Sequence, residues 1–567
     1  MSTLRMAGEV HGRTFWLAAI GILAVAAVLR FHGLAARGLV EWDGAYYVGV
    51  ARTWGAGLQW LFERYVQNAA GSSLSERLLT DGVAVSPTAK HGLIAIMMFG
   101  APLTGFTELL GTGVAAVAAV ATIGMCGLVA ATAFNRSVAL LSMFLLTFSF
   151  THLHYSRSGF PVSVSALCVT IAWFLYLRSC AADEPWPLRR RMALLAGLMT
   201  GLAVTVHYNL FWVPCLFYGL LAWQALRDAI GGSGRDVRHQ GGIAGMFLLG
   251  SLILPLAFEL GTRLLQAFVG ASPGLSTAVQ GRFGDARLLT YFEEVYLHTV
   301  GQGNNFVARE PWFYLRLIGE WEGYGVLAAL LASLVWTAVR CDVPALVRAS
   351  CLGIAALPLL IWTLFSFPVA RTIGVATPAW AIVSAASACR AYDHLVARNR
   401  RLARVCAACG LIVIAAAGTW RARPIWDVRS GMPAALAFMQ EHGSVKHIST
   451  EFPLSRLLVG RANAIDATVS FQGKDTAQVL RTFETEDYRY LVASGGRFTS
   501  DKGLMAMLED VDPVFRTHHS FRLQAYEYFD REVQRAILSS PEQLEVYEIR
   551  ELLEHTQDGT PDVRHLR

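Results

Sequence analysis

Residues 111–134 have the sequence GTGVAAVAAVATIGMCGLVAATAF, which contains no charged side chain. A helix that crosses a bilayer needs about 20 mostly apolar residues, and this run is long enough. The whole chain has the same character: 54% of its 567 residues are hydrophobic and 16% are charged, against about a quarter charged in soluble domains. We therefore expect an integral membrane protein, a polytopic α-helical one.

Runs similar to residues 111–134 recur along the first 420 residues, and the sequence predicts eleven transmembrane helices in all. With a cytoplasmic N-terminus, arginine-rich segments such as 189–191 and 398–404 fall on inner loops, as the positive-inside rule requires. This holds if residues 91–108, which contain Pro102, lie at the outer interface without crossing. The expected spans are 15–31, 111–134, 138–154, 160–178, 192–207, 209–226, 242–268, 323–339, 345–364, 371–389 and 403–419.

The composition changes after residue 420, where the chain becomes polar and mixed in charge. Strand-like and helix-like pieces alternate there, a pattern typical of a small α/β domain. We expect two domains: a transmembrane domain over 1–420 and an extracytoplasmic α/β domain over 421–567. The strand-like pieces are 445–450 and 488–494, and the helix-like pieces are 433–442, 453–459, 476–484 and 503–509.

The net charge of +6 does not indicate nucleic-acid binding, because the basic residues gather in short clusters between apolar runs. The nine cysteines lie in or beside apolar segments, which implies no disulfide framework. Cys406 and Cys409 have the spacing of a redox or zinc pair. They lie inside an apolar run without a second pair, so we expect them to be buried by packing.

The segment EWDGAYYVGVAR, residues 41–52, directly follows the first predicted span. It places Asp43 at the outer interface on a short amphipathic helix, where Tyr46 and Tyr47 can anchor at headgroup depth. A partly shielded carboxylate has the raised basicity that a general base needs to take a proton from a hydroxyl. Asp is also common at helix N-caps, and the residues alone leave both interpretations open.

Asp43, the following Tyr residues and Ala51-Arg52 resemble the Asp-Glu-x-x-Tyr…Ala-Arg segment of the protein O-mannosyltransferase and lipid A aminoarabinose transferase families. The resemblance implies a GT-C membrane glycosyltransferase in which Asp43 is the catalytic carboxylate. It also places Tyr47 and Arg52 among the substrate-binding candidates. The second acid of the family segment is replaced by Gly44.

SPTAKHGL, residues 86–93, is similar to the Lys-Pro-Pro-Leu segment that ends the first outer loop in these families. The resemblance gives Lys90 the role of contacting the donor phosphate, and an ammonium suits an anion at a membrane surface. His91 follows where the families have proline. It is a second candidate donor, although a single histidine more often has a structural role.

HLHYSRSGFP, residues 152–161, lies at the outer end of the third predicted span. The families have an Arg here followed by a second site acid; the chain keeps Arg157 but has no acid through residue 182. Arg157 is a phosphate-binding candidate, with snorkelling to the interface as the alternative. His154 is a further binding candidate. With His152 it has metal-ligand spacing, but only two ligands are visible, so no metal is assigned and a divalent cation stays open.

Two further binding candidates rest on position alone. His207 falls at an outer turn, and Arg371 begins a span on the outer side. The loop 270–322 carries several acids, including Glu293 and Glu294, any of which can replace the missing second carboxylate, and the loop can be either a mobile lid or a solvated connector.

The resemblance implies an inverting glycosyltransferase of a bacterial inner membrane. It would move a sugar from a polyprenyl-phosphate carrier to a hydroxyl of a protein, lipid A or an envelope glycan on the periplasmic side, with Asp43 as base. Three alternatives remain at this stage: another polyprenyl-linked transferase such as an O-antigen ligase or polymerase, a lipid or solute transporter, and a non-catalytic relative of the GT-C enzymes.

Overall fold

The computed structural model describes residues 12–67, 89–181, 183–230, 234–270, 289–301, 310–340, 343–364, 369–460, 462–467, 476–494, 508, 511–527 and 531–558. Helices dominate the first three quarters of the chain, and all strands follow residue 446. The helices before the strands are α1 (Arg13–Phe31), α2 (Leu34–Arg37), α3 (Trp42–Tyr65), α4 (His91–Thr104), α5 (Glu108–Ala133), α6 (Arg136–Phe148), α7 (Phe150–Tyr155), α8 (Val162–Cys180), α9 (Trp186–Val206), α10 (Trp212–Ile230), α11 (Gly234–Gly270), α12 (Tyr291–Tyr296), α13 (Phe313–Trp321), α14 (Tyr324–Val339), α15 (Ala345–Thr363), α16 (Thr377–Arg398), α17 (Arg400–Trp426) and α18 (Met432–Glu441).

Within the described residues, eight helical segments are long and apolar enough to cross a membrane. They coincide with eight of the predicted spans, and the chain is a multi-pass membrane protein. The segments are Arg13–Arg37, Glu108–Ala133, Val162–Cys180, Tyr208–Ile230, Val237–Ala267, Ala345–Thr363, Ala370–Arg398 and Arg400–Trp426.

The other three predicted spans fall on α6, α9 and α14. Helix α6 ends at Phe148, and the Ser149 hydroxyl caps the separate helix α7, so residues 138–154 are not one continuous helix. The eleven-span count therefore remains a prediction. Helix α4 has 14 residues, about 21 Å of helix, which is shorter than the roughly 30 Å apolar core of a bilayer and agrees with an interfacial position.

Helix α9 is held in the bundle by close packing against α11. Gly197 and Gly201 lie one turn apart on α9, and a Cβ on either would collide with backbone carbonyls of α11, those of Phe247 and Ser251. Small residues at this spacing let two membrane helices approach closely. This contact explains why α9 belongs to the bundle although three arginines occupy its first turns.

The C-terminal domain contains a five-stranded sheet with the order β2-β1-β3-β5-β4. Strands β1, β2 and β3 are parallel, whereas β5 runs antiparallel to both β3 and β4. The predicted strands at 445–450 and 488–494 are β1 and β3, and the predicted helix 503–509 lies outside the described residues except for residue 508. The strands and their helices are β1 (His447–Ser449), α19 (Phe452–Val459), β2 (Ala464–Asp466), α20 (Thr476–Thr485), β3 (Tyr490–Ser494), β4 (Phe515–His518), α21 (Arg531–Ser539), β5 (Gln543–Glu548) and α22 (Ile549–Asp558).

The burial expected for Cys406 and Cys409 is wrong. Both side chains are exposed on α17, whose apolar segment is almost entirely uncovered by the rest of the protein. In a spanning helix such an apolar surface faces lipid, so these two cysteines lie in a lipid-facing stretch.

The N-terminal end of α3 packs against the α7–α8 loop through two glycines. A Cβ on Gly44 would lie 2.8 Å from the Cα of Gly159, closer than real Cβ atoms approach a backbone atom. Gly44 occupies the position of the second acid in the family segment, and a side chain does not fit there. This contact sets the height of Asp43 relative to the bundle.

We expect Gly44→Ala to destabilise the protein by about 1–3 kcal/mol, because the backbone must shift to admit the methyl group. Gly113→Ala on α5 is the matched control, since nothing lies within 4 Å of a Cβ at that position. Thermal melting in detergent measures both, and equal melting temperatures for the two variants would contradict the close contact.

Candidate functional site

Asp43 lies in the first turn of α3, one residue after the helix begins. The N-cap residue is Glu41, so the helix-cap interpretation of Asp43 is wrong. The Asp43 carboxylate accepts a hydrogen bond from Nη1 of Arg371 over 2.6 Å, while the side chain stays 31% exposed. A carboxylate at a helix N-terminus is also favoured by the helix dipole. Asp43 is thus fixed in place and still open to solvent.

Arg371 lies on a 3₁₀ segment, Ala370–Ala376, that precedes α16. Its Nε donates to Oε2 of Glu527 over 3.0 Å while Nη1 holds Asp43, so a single guanidinium bridges two carboxylates. The planar cation also lies over the ring of Phe160, with 4.6 Å between Cζ and the ring centroid. Several donors in a rigid fork make arginine suited to such a bridge.

Glu527 comes from the C-terminal domain, at the end of the 3₁₀ segment Arg522–Glu527. Its Oε1 accepts a hydrogen bond from the Tyr155 hydroxyl over 2.6 Å, and its side chain is 6% exposed. Burial, together with the Glu527 carboxylate, raises the pKa of Tyr155 well above its usual range, so the phenol stays protonated as a donor. The two domains therefore meet at Arg371.

Lys90 immediately precedes α4 and is 7% exposed. Its ammonium faces two aromatic rings, 4.9 Å from the centroid of Tyr47 and 5.5 Å from that of Tyr208. Burial lowers the pKa of Lys90 to about 8, although the nearby Asp43 carboxylate favours the charged form. Lys90 is thus a cation in a mostly apolar setting near Asp43.

Glu294 positions the backbone in front of Lys90. Its Oε2 accepts a hydrogen bond from the amide of Ala89 over 2.7 Å, and Ala89 has a left-handed φ of 58°. Glu294, one of the several acids of the 270–322 loop, therefore supports the backbone beside Lys90. His91 is buried between the rings of Trp54 and Tyr291, which is the structural role favoured for it.

His207 also lies beside the site, at the end of α9. Its ring stacks on Tyr208, and its Nδ1 accepts the amide hydrogen of Asn209 over 3.3 Å. It lines a small niche together with Arg371 and Trp362. The structure thus brings four of the candidate residues, Tyr47, Lys90, His207 and Arg371, to the same end of the bundle as Asp43.

Arg157, Arg52 and His154 have other surroundings. Arg157 donates from Nη1 to the carbonyls of Arg30 and His32 over 2.9 and 2.7 Å and so caps the end of α1. Its Nε and Nη2 have no hydrogen-bonding partner within the described residues, and its phosphate contact stays a prediction. Arg52 donates to the carbonyl of Leu457 in α19 and links α3 to the C-terminal domain.

His154 packs against Trp321 and lies close enough to Glu41 for their charges to interact. Nδ1 of His152 is 2.8 Å from Nη2 of Arg30. Within the described ranges no cluster of three or more His, Cys, Asp or Glu side chains is arranged to hold a metal ion.

The arrangement combines a half-open carboxylate, a second carboxylate and two cations, all at the end of the bundle that contacts the C-terminal domain. Sequence reasoning missed Glu527, because no motif marks it and it is 156 residues from Arg371. The only local signal is an acid between aromatic residues at 526–529. Such a site can accept a proton and stabilise an anion beside it.

Comparisons with known proteins agree with this fold. Residues 110–268 match the family model "Dolichyl-phosphate-mannose-protein mannosyltransferase". The oligosaccharyltransferase AglB from Archaeoglobus fulgidus, solved with an inhibitory peptide and a dolichol-phosphate, has a TM-score of 0.57 at 13% identity, over 88% of this chain and 71% of that one. ArnT from Cupriavidus metallidurans, bound to undecaprenyl phosphate, has a TM-score of 0.55 at 13% identity, over 95% and 98%. A sequence comparison with curated proteins gives no match.

The chain shares its fold with these two membrane proteins, which confirms the predicted polytopic α-helical fold with a small C-terminal domain. The predicted resemblance to the mannosyltransferase and aminoarabinose transferase families is also confirmed. The family model matches residues 110–268, a region that does not include the motif residues Asp43 and Lys90. The roles of the site residues remain predictions.

Replacing Arg371 with lysine tests the bridge between the two carboxylates. One ammonium cannot reproduce the two fork contacts, so we expect Arg371→Lys to cost roughly 1–3 kcal/mol of unfolding free energy. Arg263→Lys, at a 68% exposed arginine paired with Glu259, is the control and should change stability by well under about 1 kcal/mol. Equal effects in thermal melting would rule out the bridge as an anchor between the domains.

Proposed function

We propose that the protein is a GT-C glycosyltransferase that transfers a sugar from a polyprenyl-phosphate carrier to an acceptor hydroxyl. The observation that carries the proposal is the grouping of Asp43 with Lys90 and Arg371 at one end of the bundle, beside a second carboxylate, Glu527. The solved structures of similar fold contain a dolichol-phosphate and undecaprenyl phosphate, which supports this donor class.

Lys90 and Arg371 are the proposed ligands of the donor phosphate. Both are largely buried, so the low local dielectric strengthens their attraction for an anion. When the phosphate binds Arg371, it competes with Asp43 for the guanidinium. Glu527 holds Nε of Arg371 throughout, so the arginine keeps its position while Nη1 is released.

Asp43 is the proposed general base. It takes the proton from the acceptor hydroxyl as that oxygen forms a bond to the anomeric carbon and the bond from this carbon to the phosphate oxygen breaks. The polyprenyl phosphate leaves with the electron pair, and Lys90 and Arg371 stabilise its growing charge. A single displacement of this kind inverts the anomeric centre.

The proposed location is a bacterial inner membrane, with the N-terminus in the cytoplasm and the C-terminal domain in the periplasm. The arginine clusters between the predicted spans favour this orientation. In this proposed orientation the site, which contacts the C-terminal domain through Arg371 and Glu527, faces the periplasm, and the proposed acceptor is a protein, lipid A or an envelope glycan.

A transporter is the weaker alternative. Transport sites lie near the middle of the membrane, between paired halves of the protein. Here Asp43 and Lys90 lie at the N-terminal ends of helices, and Arg371, on the 3₁₀ segment before α16, contacts the C-terminal domain through Glu527. An O-antigen ligase or polymerase is disfavoured because its predicted hallmark is a large outer loop rich in Arg and His, and not an acid directly after the first span.

Asp43→Asn is expected to lower the rate of sugar transfer by about 10²- to 10⁴-fold, the usual range for loss of a general base. Release of polyprenyl phosphate from a panel of polyprenyl-phosphate sugars, with envelope extract as the acceptor source, measures this rate. Asp393→Asn, at an exposed acid on α16, is the matched control and should keep native activity. Native turnover by Asp43→Asn would remove Asp43 as the base.

The pKa of Lys90 predicts an alkaline limit to activity. Its value of about 8 means that the free protein loses this charge as the pH rises through 8, whereas the phosphodiester donor does not titrate there. We expect kcat/KM to fall by about tenfold per pH unit above that point. Lys90→Arg should abolish the alkaline fall, because a guanidinium stays protonated. Lys446→Arg, at a surface lysine, is the control and should leave the alkaline fall unchanged. The same alkaline fall in Lys90→Arg would contradict this role.

A further inference from the structure

A second cavity, of about 300 Å³, lies where the membrane domain meets the C-terminal domain. The membrane domain contributes Glu41 and Phe160, and the C-terminal domain contributes Phe521 and Glu542. Its volume is at the lower end of the range for small-ligand sites, about 300–1,000 Å³. The proposed reaction uses none of its charged groups.

The charged groups of this cavity are mostly paired with one another. Arg37 and Glu41 form a buried ion pair, and Glu41 also accepts the amide hydrogen of Gly159 over 3.3 Å. Burial alone would raise the pKa of Glu41, but Arg37 outweighs it and holds the pKa below its usual range, so the carboxylate is charged. Nε of Arg522 is 3.9 Å from Oε2 of Glu542, the second pair.

The charge balance argues against an anionic ligand. Among the described residues, two arginines and three carboxylates line the cavity, a formal charge of −1 with its histidines neutral. A phosphate would gain little there, in contrast to the surroundings of Lys90 and Arg371. Neutral hydroxyl groups suit the cavity better, because carboxylates accept and guanidinium groups donate hydrogen bonds to them.

His154 adds a neutral polar group to the same wall. It is 4% exposed, and its Nδ1 has no hydrogen-bonding partner within the described part of the chain. Burial lowers the pKa of His154 to about 4, so the imidazole is uncharged near neutral pH. A neutral imidazole can donate one hydrogen bond and accept another, which matches a hydroxyl.

The remaining wall is apolar and partly aromatic, with the rings of Phe160 and Phe521 beside Leu523. A sugar ring has the complementary surfaces, an apolar C–H face and an edge of hydroxyl groups. The Phe160 ring also lies 4.6 Å from Arg371, which holds Asp43. The Phe160 wall of the cavity therefore adjoins the arginine that holds the proposed base.

We infer that the cavity between Arg37–Glu41, His154 and the β4–β5 region of the C-terminal domain binds a neutral saccharide unit of the acceptor. The inference rests on the proposed function and adds the chemical class of the acceptor. A sugar held there presents a hydroxyl toward Asp43, while the donor phosphate lies at Lys90 and Arg371. The paired charges fix the orientation of the sugar without attracting the anionic donor.

Binding of methyl β-glucoside and methyl β-galactoside to the full chain in lipid nanodiscs tests this directly. Saturation-transfer NMR should detect at least one of them, with inorganic phosphate in excess failing to displace it. Leu523→Trp fills the cavity from a partly exposed position and should weaken binding by about tenfold or more. Leu249→Trp, on the exposed surface of α11, is the matched control and should bind as the native chain does.

His154→Phe keeps the ring and removes its hydrogen bonds, so it should also weaken glycoside binding, with melting temperature as the check on folding. Lys90→Ala removes a residue proposed to bind the donor phosphate, but it should keep glycoside binding. This variant therefore separates failure of the saccharide inference from failure of the proposed function. Any of three results would overturn the inference. These are the absence of a glycoside signal with the native chain, equal binding by Leu523→Trp and Leu249→Trp, and displacement of the glycoside by phosphate.

Discussion

The site depends on one guanidinium shared by two carboxylates. Arg371 holds Asp43 of the membrane domain and Glu527 of the C-terminal domain at the same time. Removing one partner from such a cluster leaves a partly buried charge uncompensated, which is costly. The C-terminal domain is therefore held over the bundle by the same side chain that fixes the candidate base. Docking of the C-terminal domain and positioning of Asp43 therefore depend on the same side chain.

The apolar setting of Lys90 follows from the same layout. The Tyr47 and Tyr208 rings cover its ammonium, and Glu294 fixes the backbone in front of it. Little water competes for the cation, so an anion that arrives from the membrane surface finds a strong partner. The lower pKa of Lys90 is the consequence of that arrangement. The burial of Lys90 therefore accounts both for its proposed attraction of an anion and for the loss of its charge at alkaline pH.

The sequence predicts the membrane class well, and it identifies residues that the structure brings to one end of the bundle, because apolar length and the position after the first span are local properties. Asp43 and Lys90 lie in short segments that carry a family pattern, and Arg371 follows from its place at a span's outer end. Arg157 has an equally good position, yet its side chain turns to the carbonyls that end α1. Sequence position gives the depth of a residue but not the direction in which its side chain points.

Other features are beyond local patterns. Glu527 reaches the site only through the docking of the C-terminal domain, and a contact across 156 residues leaves no periodic signal. Composition alone predicts a single span over residues 138–154. In the structure this run is broken at Ser149, because the Ser149 side chain caps a new helix there. Gly44, which looks like a loss from the family segment, is required by its contact with Gly159.

The most direct test of the account is a structure of the full chain with a polyprenyl phosphate bound. We expect the phosphate within hydrogen-bonding distance of Lys90 Nζ and the Arg371 guanidinium, with Glu527 still paired to Arg371 and Asp43 released. A phosphate at Arg157, or in the cavity lined by Arg37 and Arg522, with the Asp43–Arg371 pair intact, would contradict it.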